Sequence, residues 1–367
     1  MLSKTNNSKF HKHYMHLALM QAKKSLGNTK DNPSVGCVIV KDSSVVSAAC
    51  TSFNGRPHAE RNAISSLNNS IKNSLLYVTL EPCSNYGQTP PCVNLISKSK
   101  INKVYISIKD PDKRSYNKAL KKLVKKGIKV KYGILESEIK KFYKSYIINK
   151  KEHLPFVTCK LAISKDFYTV HKEKKWITNY LSRARGHMLR SSHDCILTSY
   201  KTINEDNPIL TCRINGLKNT SPARIVLDSH LNINLKSKIL KDAINYQTII
   251  FYNKINKKKI TSLNKLNVKT YKITKEQDGK IDLKYALIKA KKLGFSRIFL
   301  ESGINLIRSF FKNNLISEFK IFISKYKLGS NGDLKVKNDL DIFLKNKIKI
   351  NETVNLNGDL FLSYNIK

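Results

Sequence analysis

The chain has 367 residues, of which 41% are hydrophobic, so it is long enough for two domains and too apolar for global disorder. Its formal net charge of +42 raises the question of a polyanion partner. The excess of lysine over arginine and the scarcity of glycine favour another origin of the charge, a mutational drift toward A/T-rich codons. Seven cysteines, an odd number in a large chain, exclude a disulfide scaffold, and no apolar run approaches the roughly 18 residues of a membrane helix.

The first 150 residues alternate between helical and strand-like patterns. Apolar runs or alternations predict strands at 35–40, 45–50, 75–80 and 103–108. Helical spacing predicts helices at 14–26, 58–67, 93–98 and 118–126. The basic stretch 140–151 is predicted to be the end of a helix followed by a linker. This order of elements predicts a three-layer α/β/α domain over residues 1–150.

A second alternation begins at Pro155 and predicts an α/β domain over residues 151–367. Strand patterns lie at 155–163, 194–198, 224–228, 247–252, 297–300 and 318–326. Helical patterns lie at 180–191, 282–293 and 304–314. The lysine-rich segment 254–280 is predicted to be a loop.

Three residues with metal-ligand chemistry lie at the ends of predicted elements in the first half. His58 lies at the start of a helix, Cys83 follows an apolar strand, and Cys92 begins another helix. A helix N-terminus lowers the pKa of a thiol and so favours the thiolate that zinc requires. One nitrogen and two sulfur ligands leave the fourth zinc position open, which is typical of a catalytic rather than a structural site.

Glu60 lies two residues after His58, with Pro57 expected in the first turn of the same helix. Both side chains can border one metal only at the helix N-terminus, because two residues span about 200° around a helix. Glu60 is therefore the predicted acid–base residue, since zinc deaminases use a glutamate that is not a ligand. The alternative is a surface histidine with two packing cysteines, but the order of the three residues favours the metal site. The other cysteines are assigned to packing (residues 37, 50, 159, 195 and 212).

The His58-x-Glu60 and Pro82-Cys83 motifs resemble the signature of the cytidine deaminase superfamily. Eight residues separate the two cysteines, where that superfamily usually has two. The long loop ending in Gly87-x-Thr-Pro-Pro-Cys92 is similar to the RibD family of bifunctional riboflavin biosynthesis enzymes, as are the segment 32–40 and Asp110-Pro111.

The second half resembles the reductase domain of the same family, which has a dihydrofolate-reductase-like fold and uses NADPH. The matching segments are 160–162, 176–178, 202–213, 228–229 and 301–303. The resemblance places cofactor contacts at Ala162, Trp176, Thr178, Thr202, Asp206, Ser229 and the helix start at Gly303. It places substrate contacts at Lys174, Arg190, Leu210, Arg213 and Glu301.

Physical chemistry supports three of these cofactor and substrate contacts. Gly303 follows an apolar strand and opens a helix, where backbone N–H groups can receive a phosphate. Arg190 and Arg213 carry planar guanidinium groups that suit a ribose phosphate. The ordinary alternatives are a turn glycine and two solvated surface charges, and the sequence alone leaves these alternatives open.

The resemblance implies a bifunctional enzyme with one zinc ion per chain. The first reaction is the hydrolytic deamination of 2,5-diamino-6-ribosylamino-4(3H)-pyrimidinone 5′-phosphate, and the second is the NADPH-dependent reduction of its ribosyl group to ribityl. The expected partner is therefore a small phosphorylated pyrimidine rather than a membrane or a nucleic acid, and a homo-oligomer stays open. Residues 1–20 lack a secretory signal, so a cytoplasmic location is expected. The alternative function is a zinc deaminase acting on a nucleic acid base, with a decayed or non-catalytic second domain.

Overall fold

Two compact units, Met1–His153 and Leu154–Lys367, divide the chain in the computed structural model. The structure describes residues 4–68, 71–273, 279–344 and 350–366. Within these ranges, no helix combines the length and the apolarity needed to cross a membrane.

The first unit alternates helices and strands, as its sequence predicts. Its elements are α1 (Lys4–Lys24), β1 (Gly36–Lys41), β2 (Ser44–Cys50), α2 (Ala59–Ser65), β3 (Leu75–Leu80), α3 (Cys92–Lys98), β4 (Lys103–Ile108), α4 (Lys118–Lys125), β5 (Lys129–Tyr132), α5 (Glu136–Phe142) and α6 (Lys144–Glu152). The strands form one sheet in the order β2-β1-β3-β4-β5, with β1 antiparallel to both neighbours and β3, β4 and β5 parallel. Strands β3 and β4 are buried on both faces, which explains their continuous apolar runs.

Helices cover both faces of this sheet. Helix α1 packs so closely on β1 that a Cβ atom on Gly36 would overlap the carbonyl oxygen of Ala18. Helix α2 lies on the opposite face, where the charge of Glu60 acts on the buried thiol of Cys37. Because Gly36 and Cys37 are successive strand residues, their side-chain positions point to opposite faces. The unit is therefore a three-layer α/β/α, cytidine-deaminase-like domain.

Two local predictions in the first half are wrong. Residues 140–151 do not form a linker, because α5 is followed at once by α6, and Ser145 and Asn149 of α6 are buried. The buried face of this helix is polar, so it leaves no apolar periodicity in the sequence. Helix α2 begins at Ala59, with His58 as its N-cap residue, so Pro57 precedes the first turn.

The second unit also alternates strands and helices. Its elements are β6 (Phe156–Ile163), β7 (Tyr168–His171), α7 (Tyr180–Ser191), β8 (Cys195–Ser199), α8 (Tyr200–Asp206), β9 (Ala223–Leu227), α9 (Lys238–Lys241), β10 (Thr248–Tyr252), α10 (Lys257–Lys265), β11 (Lys269–Lys272), α11 (Leu283–Lys292), β12 (Arg297–Leu300), α12 (Ile304–Lys312), β13 (Glu318–Ile323), β14 (Gly332–Lys335), α13 (Lys337–Phe343), β15 (Ile350–Leu356) and β16 (Asp359–Asn365).

Nine strands form the main sheet in the order β11-β10-β9-β8-β12-β6-β13-β16-β15. The strands from β11 to β13 run parallel, and β16 is antiparallel to both β13 and β15. Strands β8, β9 and β12 therefore end at the same edge, where ligands bind in open parallel sheets. This is the α/β domain that the sequence pattern predicts, with the dihydrofolate-reductase-like fold that the resemblance implies.

The prediction of a loop over 254–280 is wrong. This segment contains α10 and β11, and Leu263 of α10 is fully buried. Strand β11 lies at the edge of the sheet with partly exposed side chains, so it shows no apolar run. Residues 274–278 of the segment lie outside the described residues.

Candidate active sites

Three side chains from separate elements converge in the first unit. His58 caps α2, Cys83 follows β3, and Cys92 is the first residue of α3. The Nδ1 atom of His58 lies 3.5 Å from the Sγ atom of Cys83 and 3.5 Å from that of Cys92. All three donor atoms lie within 4.8 Å of one another. The residues that the sequence predicts as metal ligands are thus brought together.

The donor set fits a tetrahedral zinc ion. Bonds of about 2.0–2.1 Å to nitrogen and 2.3 Å to sulfur place N and S roughly 3.5–3.6 Å apart at a tetrahedral angle. A hydrogen bond from Cys92 lowers the pKa of Cys83 to about 4, and the same pairing raises the pKa of Cys92. One thiolate thus forms readily, while the second needs a cation beside it. A divalent ion bound by all three donors meets that need.

Glu60 lies on the first turn of α2, and only 3% of its surface is exposed. Burial raises its pKa to about 7, with a further contribution from the charge of Cys83. A carboxyl group with a pKa near neutrality can both accept and donate a proton at physiological pH. Glu60 therefore has the burial and the position of an acid–base group beside the cluster.

Glu81 is a buried carboxylate whose role the sequence did not reveal. It accepts hydrogen bonds from the backbone N–H groups of Asp110, Asn117 and Ala119, at 3.2, 3.0 and 3.0 Å. It thereby holds the loop between β4 and α4 beside the strand end that carries Cys83. The only sequence signal was a carboxylate directly after an apolar strand.

In the second unit, candidate cofactor residues meet where β8 and β12 end. The hydroxyl of Thr202 lies 3.2 Å from that of Ser302 and accepts a hydrogen bond from the N–H of Gly303 at 3.3 Å. Ser229 follows β9, the neighbour of β8 in the sheet. These residues lie at the sheet edge where a dinucleotide phosphate would bind.

The remaining candidate cofactor residues are Trp176, Thr178, Asp206 and Ala162. Trp176 is 53% exposed, and the guanidinium of Arg183 lies over its ring, 5.3 Å from the ring centroid. The carbonyl oxygen of Thr178 accepts a 2.6 Å hydrogen bond from Arg183. Burial raises the pKa of Asp206, while the charges of Lys175 and Lys160 oppose this rise. Ala162 is a partly buried residue of β6 that packs against the core.

Two of the candidate substrate residues pair with each other. Arg190 donates to both carboxylate oxygens of Glu301, each at 2.9 Å, and to the carbonyl oxygen of Thr211 at 2.9 Å. Burial alone would raise the pKa of Glu301, but Arg190 and Lys160 lower it to about 2. The carboxylate therefore stays charged and fixes the Arg190 guanidinium.

Arg213 is the exposed member of this group. Its backbone N–H donates to Nδ1 of His187 at 3.2 Å. Burial lowers the pKa of the Arg213 guanidinium, and the charge of Arg190 lowers it further. Burial, Arg190 and Arg213 together lower the pKa of His187 to about 4. The sequence did not single out His187, since its role depends on the loop that it contacts.

The last two candidates differ in burial. Leu210 is 3% exposed and adopts a left-handed backbone conformation, with φ of 57°, in the loop that leads to Arg213. Lys174 is exposed, and its backbone N–H donates to the ring of His171 at 3.0 Å. Its neighbour Lys175 has its ammonium 5.4 Å from the ring centroid of Trp176. Lys175 is thus the lysine that contacts Trp176, one of the candidate cofactor residues.

Two family models match the two units. The cytidine and deoxycytidylate deaminase zinc-binding region matches residues 8–108, and the RibD C-terminal domain matches residues 155–359. Together with the fold and the cluster, these matches define a bifunctional deaminase and reductase that uses zinc and NADPH. The alternative of a deaminase with a non-catalytic second domain is not favoured.

The chain belongs to the RibD family of riboflavin biosynthesis proteins. It is 33% identical to the RibD protein of Aquifex aeolicus over 96% of this chain and 98% of that protein. It is 30% identical to the Escherichia coli protein, over 87% of this chain and 88% of the relative. The solved structure of Acinetobacter baumannii RibD matches with a TM-score of 0.83 and 26% identity, over 98% of this chain and 99% of that one.

A solved structure from Thermotoga maritima adds a named activity. It matches with a TM-score of 0.83 and 27% identity, over 98% of this chain and 99% of that one. That protein is a diaminohydroxyphosphoribosylaminopyrimidine deaminase and 5-amino-6-(5-phosphoribosylamino)uracil reductase.

Proposed function

We propose that this chain deaminates the diaminopyrimidinone ribosyl phosphate and then reduces its ribosyl group to ribityl with NADPH. The observation that carries the proposal is the convergence of His58, Cys83 and Cys92 beside the buried Glu60. The activity named for the Thermotoga maritima structure supports the choice of substrate. The required partner is thus a small phosphorylated pyrimidine, and the charge of +42 needs no nucleic acid to explain it.

We assign the deaminase to residues 1–150 and the reductase to residues 151–367. In the first part, His58, Cys83 and Cys92 would hold the zinc ion, which acidifies a water molecule when bound. The carboxylate of Glu60 takes a proton from the attacking water and delivers it to the departing amino nitrogen. The water oxygen first adds to the ring carbon, and the C–N bond then breaks so that ammonia leaves and the oxygen stays on the ring.

In the second part, NADPH would supply the hydride that the ribosyl C1 accepts, while the bond between C1 and the ring oxygen opens and that oxygen takes a proton. Thr202, Ser229 and Gly303 would contact the cofactor from the ends of β8, β9 and β12, together with Ala162, Trp176, Thr178 and Asp206. Arg213 would bind the substrate phosphate, and Arg190, Glu301, Leu210 and Lys174 would complete the substrate contacts. The bidentate pair of Arg190 with Glu301 favours a role in which these two groups act together.

Loss of a cysteine ligand should remove the metal. We expect about one zinc ion per wild-type chain and little zinc in the Cys83→Ser variant, because serine is a poor ligand for zinc at neutral pH. Elemental analysis of the purified proteins measures this. Cys50→Ser is the matched control, since Cys50 is half-buried and lies outside the cluster. An active wild-type protein without zinc, or full zinc in Cys83→Ser, would refute the ligand assignment.

A further inference from the structure

The loop between the two cysteine ligands, Ser84–Pro91, is surrounded by cations. It contains no aspartate or glutamate. Arg56 donates to the Thr89 hydroxyl at 2.9 Å, Arg61 donates to the carbonyl oxygen of Pro90 at 3.2 Å, and Lys122 donates to the carbonyl oxygen of Ser84. Among the ion pairs of the described residues, none joins these three side chains to a carboxylate. The rim of the zinc site therefore carries three positive side chains that form no carboxylate ion pair within the part of the chain that the structure describes.

Arg56 lies closest in sequence to the metal ligands, two residues before His58. Its charge acts on the His58 imidazole, and its guanidinium lies 3.6 Å from the position that a Cβ atom on Gly87 would occupy. The side chain is half-buried between the start of α2 and the loop. A guanidinium has five N–H donors, and one hydrogen bond to Thr89 leaves most of them for a ligand.

We propose that Arg56 binds the phosphate of the deaminase substrate at the rim of the zinc site. The proposal rests on the proposed function, because it takes the substrate to be a phosphate monoester. A planar guanidinium matches two phosphate oxygens at once, which a lysine ammonium does not. Arg61 and Lys122 add positive potential on the same loop. The two reactions would then use separate phosphate contacts, with Arg56 in the first unit and Arg213 in the second.

The test compares the phosphorylated substrate with its dephosphorylated ribosylamino pyrimidinone. For Arg56→Ala, kcat/KM of ammonia release should fall about 10- to 100-fold on the phosphorylated substrate, the effect expected from losing one charge-assisted hydrogen bond. It should change less than about twofold on the dephosphorylated one. Arg56→Lys should recover part of the loss. Inorganic phosphate should inhibit the wild type on the dephosphorylated substrate, and inhibit Arg56→Ala much less.

Two further variants separate binding from a structural role. Thr89→Val removes the hydrogen bond to the loop but keeps the charge, so it should retain the preference for the phosphorylated substrate. Lys125→Ala removes an exposed charge of α4 and should match the wild type on both substrates. Zinc content, measured for every variant, should stay at the wild-type level.

Equal losses on both substrates for Arg56→Ala, or a loss of zinc, would show that Arg56 only holds the loop and would overturn the proposal. Unchanged kinetics on the phosphorylated substrate would overturn it as well. Neither result touches the proposed deamination, which fails if the wild type releases no ammonia from either substrate.

Discussion

The Glu60→Gln variant is expected to lose at least about 10²-fold in the rate of ammonia release while it keeps its zinc. Glutamine has the size of glutamate but cannot carry a proton from the attacking water to the leaving nitrogen. The buried position of Glu60 on the first turn of α2, beside the metal ligands, suits this proton transfer. The zinc ligands are unchanged in this variant, so the effect is confined to the chemical step.

Ammonia release and zinc content should be measured on the same preparations. The same variant should still oxidise NADPH when it is given the deaminated uracil phosphate, because Glu60 lies outside the second unit. Glu136→Gln is the acidic control, since Glu136 pairs with Lys140 on an exposed helix surface of the first unit. Near-normal ammonia release by Glu60→Gln would remove this residue from the mechanism. Loss of both activities would indicate a shared site.

The Arg213→Ala variant is expected to release ammonia normally and to lose about 10²-fold in kcat/KM for reduction of the deaminated substrate. Loss of a charge-assisted hydrogen bond to phosphate accounts for an effect of this size. Arg213 is exposed, so its removal should disturb the second unit little. Lys292→Ala removes an exposed charge of α11 and serves as the control. A wild-type rate of reduction by Arg213→Ala would exclude it as the phosphate contact.

We expect the Arg190→Ala variant, unlike Arg213→Ala, to be less stable than the wild type. Removal of Arg190 leaves the largely buried Glu301 carboxylate with Lys160, at 3.8 Å, as its remaining ion-pair partner among the described residues. Breaking such a pair destabilises a protein by about 3 kcal/mol. A thermal unfolding measurement should therefore show a lower midpoint for Arg190→Ala and little change for Arg213→Ala.

The elements that could be predicted from the sequence are those with strong apolar patterns. Strands β3 and β4 are buried on both faces, and their apolar runs identify them directly. Strand β15, by contrast, lies at the sheet edge with every residue at least partly exposed, and no pattern revealed it. Helix α6 was missed because the residues that it buries are polar. Sequence periodicity indicates where apolar side chains are buried, and β15 and α6 bury few apolar side chains.

The candidate sites divide in a similar way. The metal ligands were predictable because histidine and cysteine at element ends carry a chemical meaning of their own. The roles of Glu81 and His187 were not, because their partners are backbone groups that only the folded chain brings to them. The pairing of Arg190 with Glu301 joins residues 111 positions apart in the sequence. No local pattern encodes such a contact.

The most direct test of the two-reaction function uses the wild-type protein with the diaminopyrimidinone ribosyl phosphate and NADPH in one reaction. Ammonia release and NADPH oxidation are followed together from the moment of mixing. We predict that ammonia appears first, that NADPH oxidation follows after a lag, and that the two amounts become equal at completion. Ammonia release without any NADPH oxidation, or NADPH oxidation that precedes ammonia release, would contradict a deaminase and a reductase acting in that order.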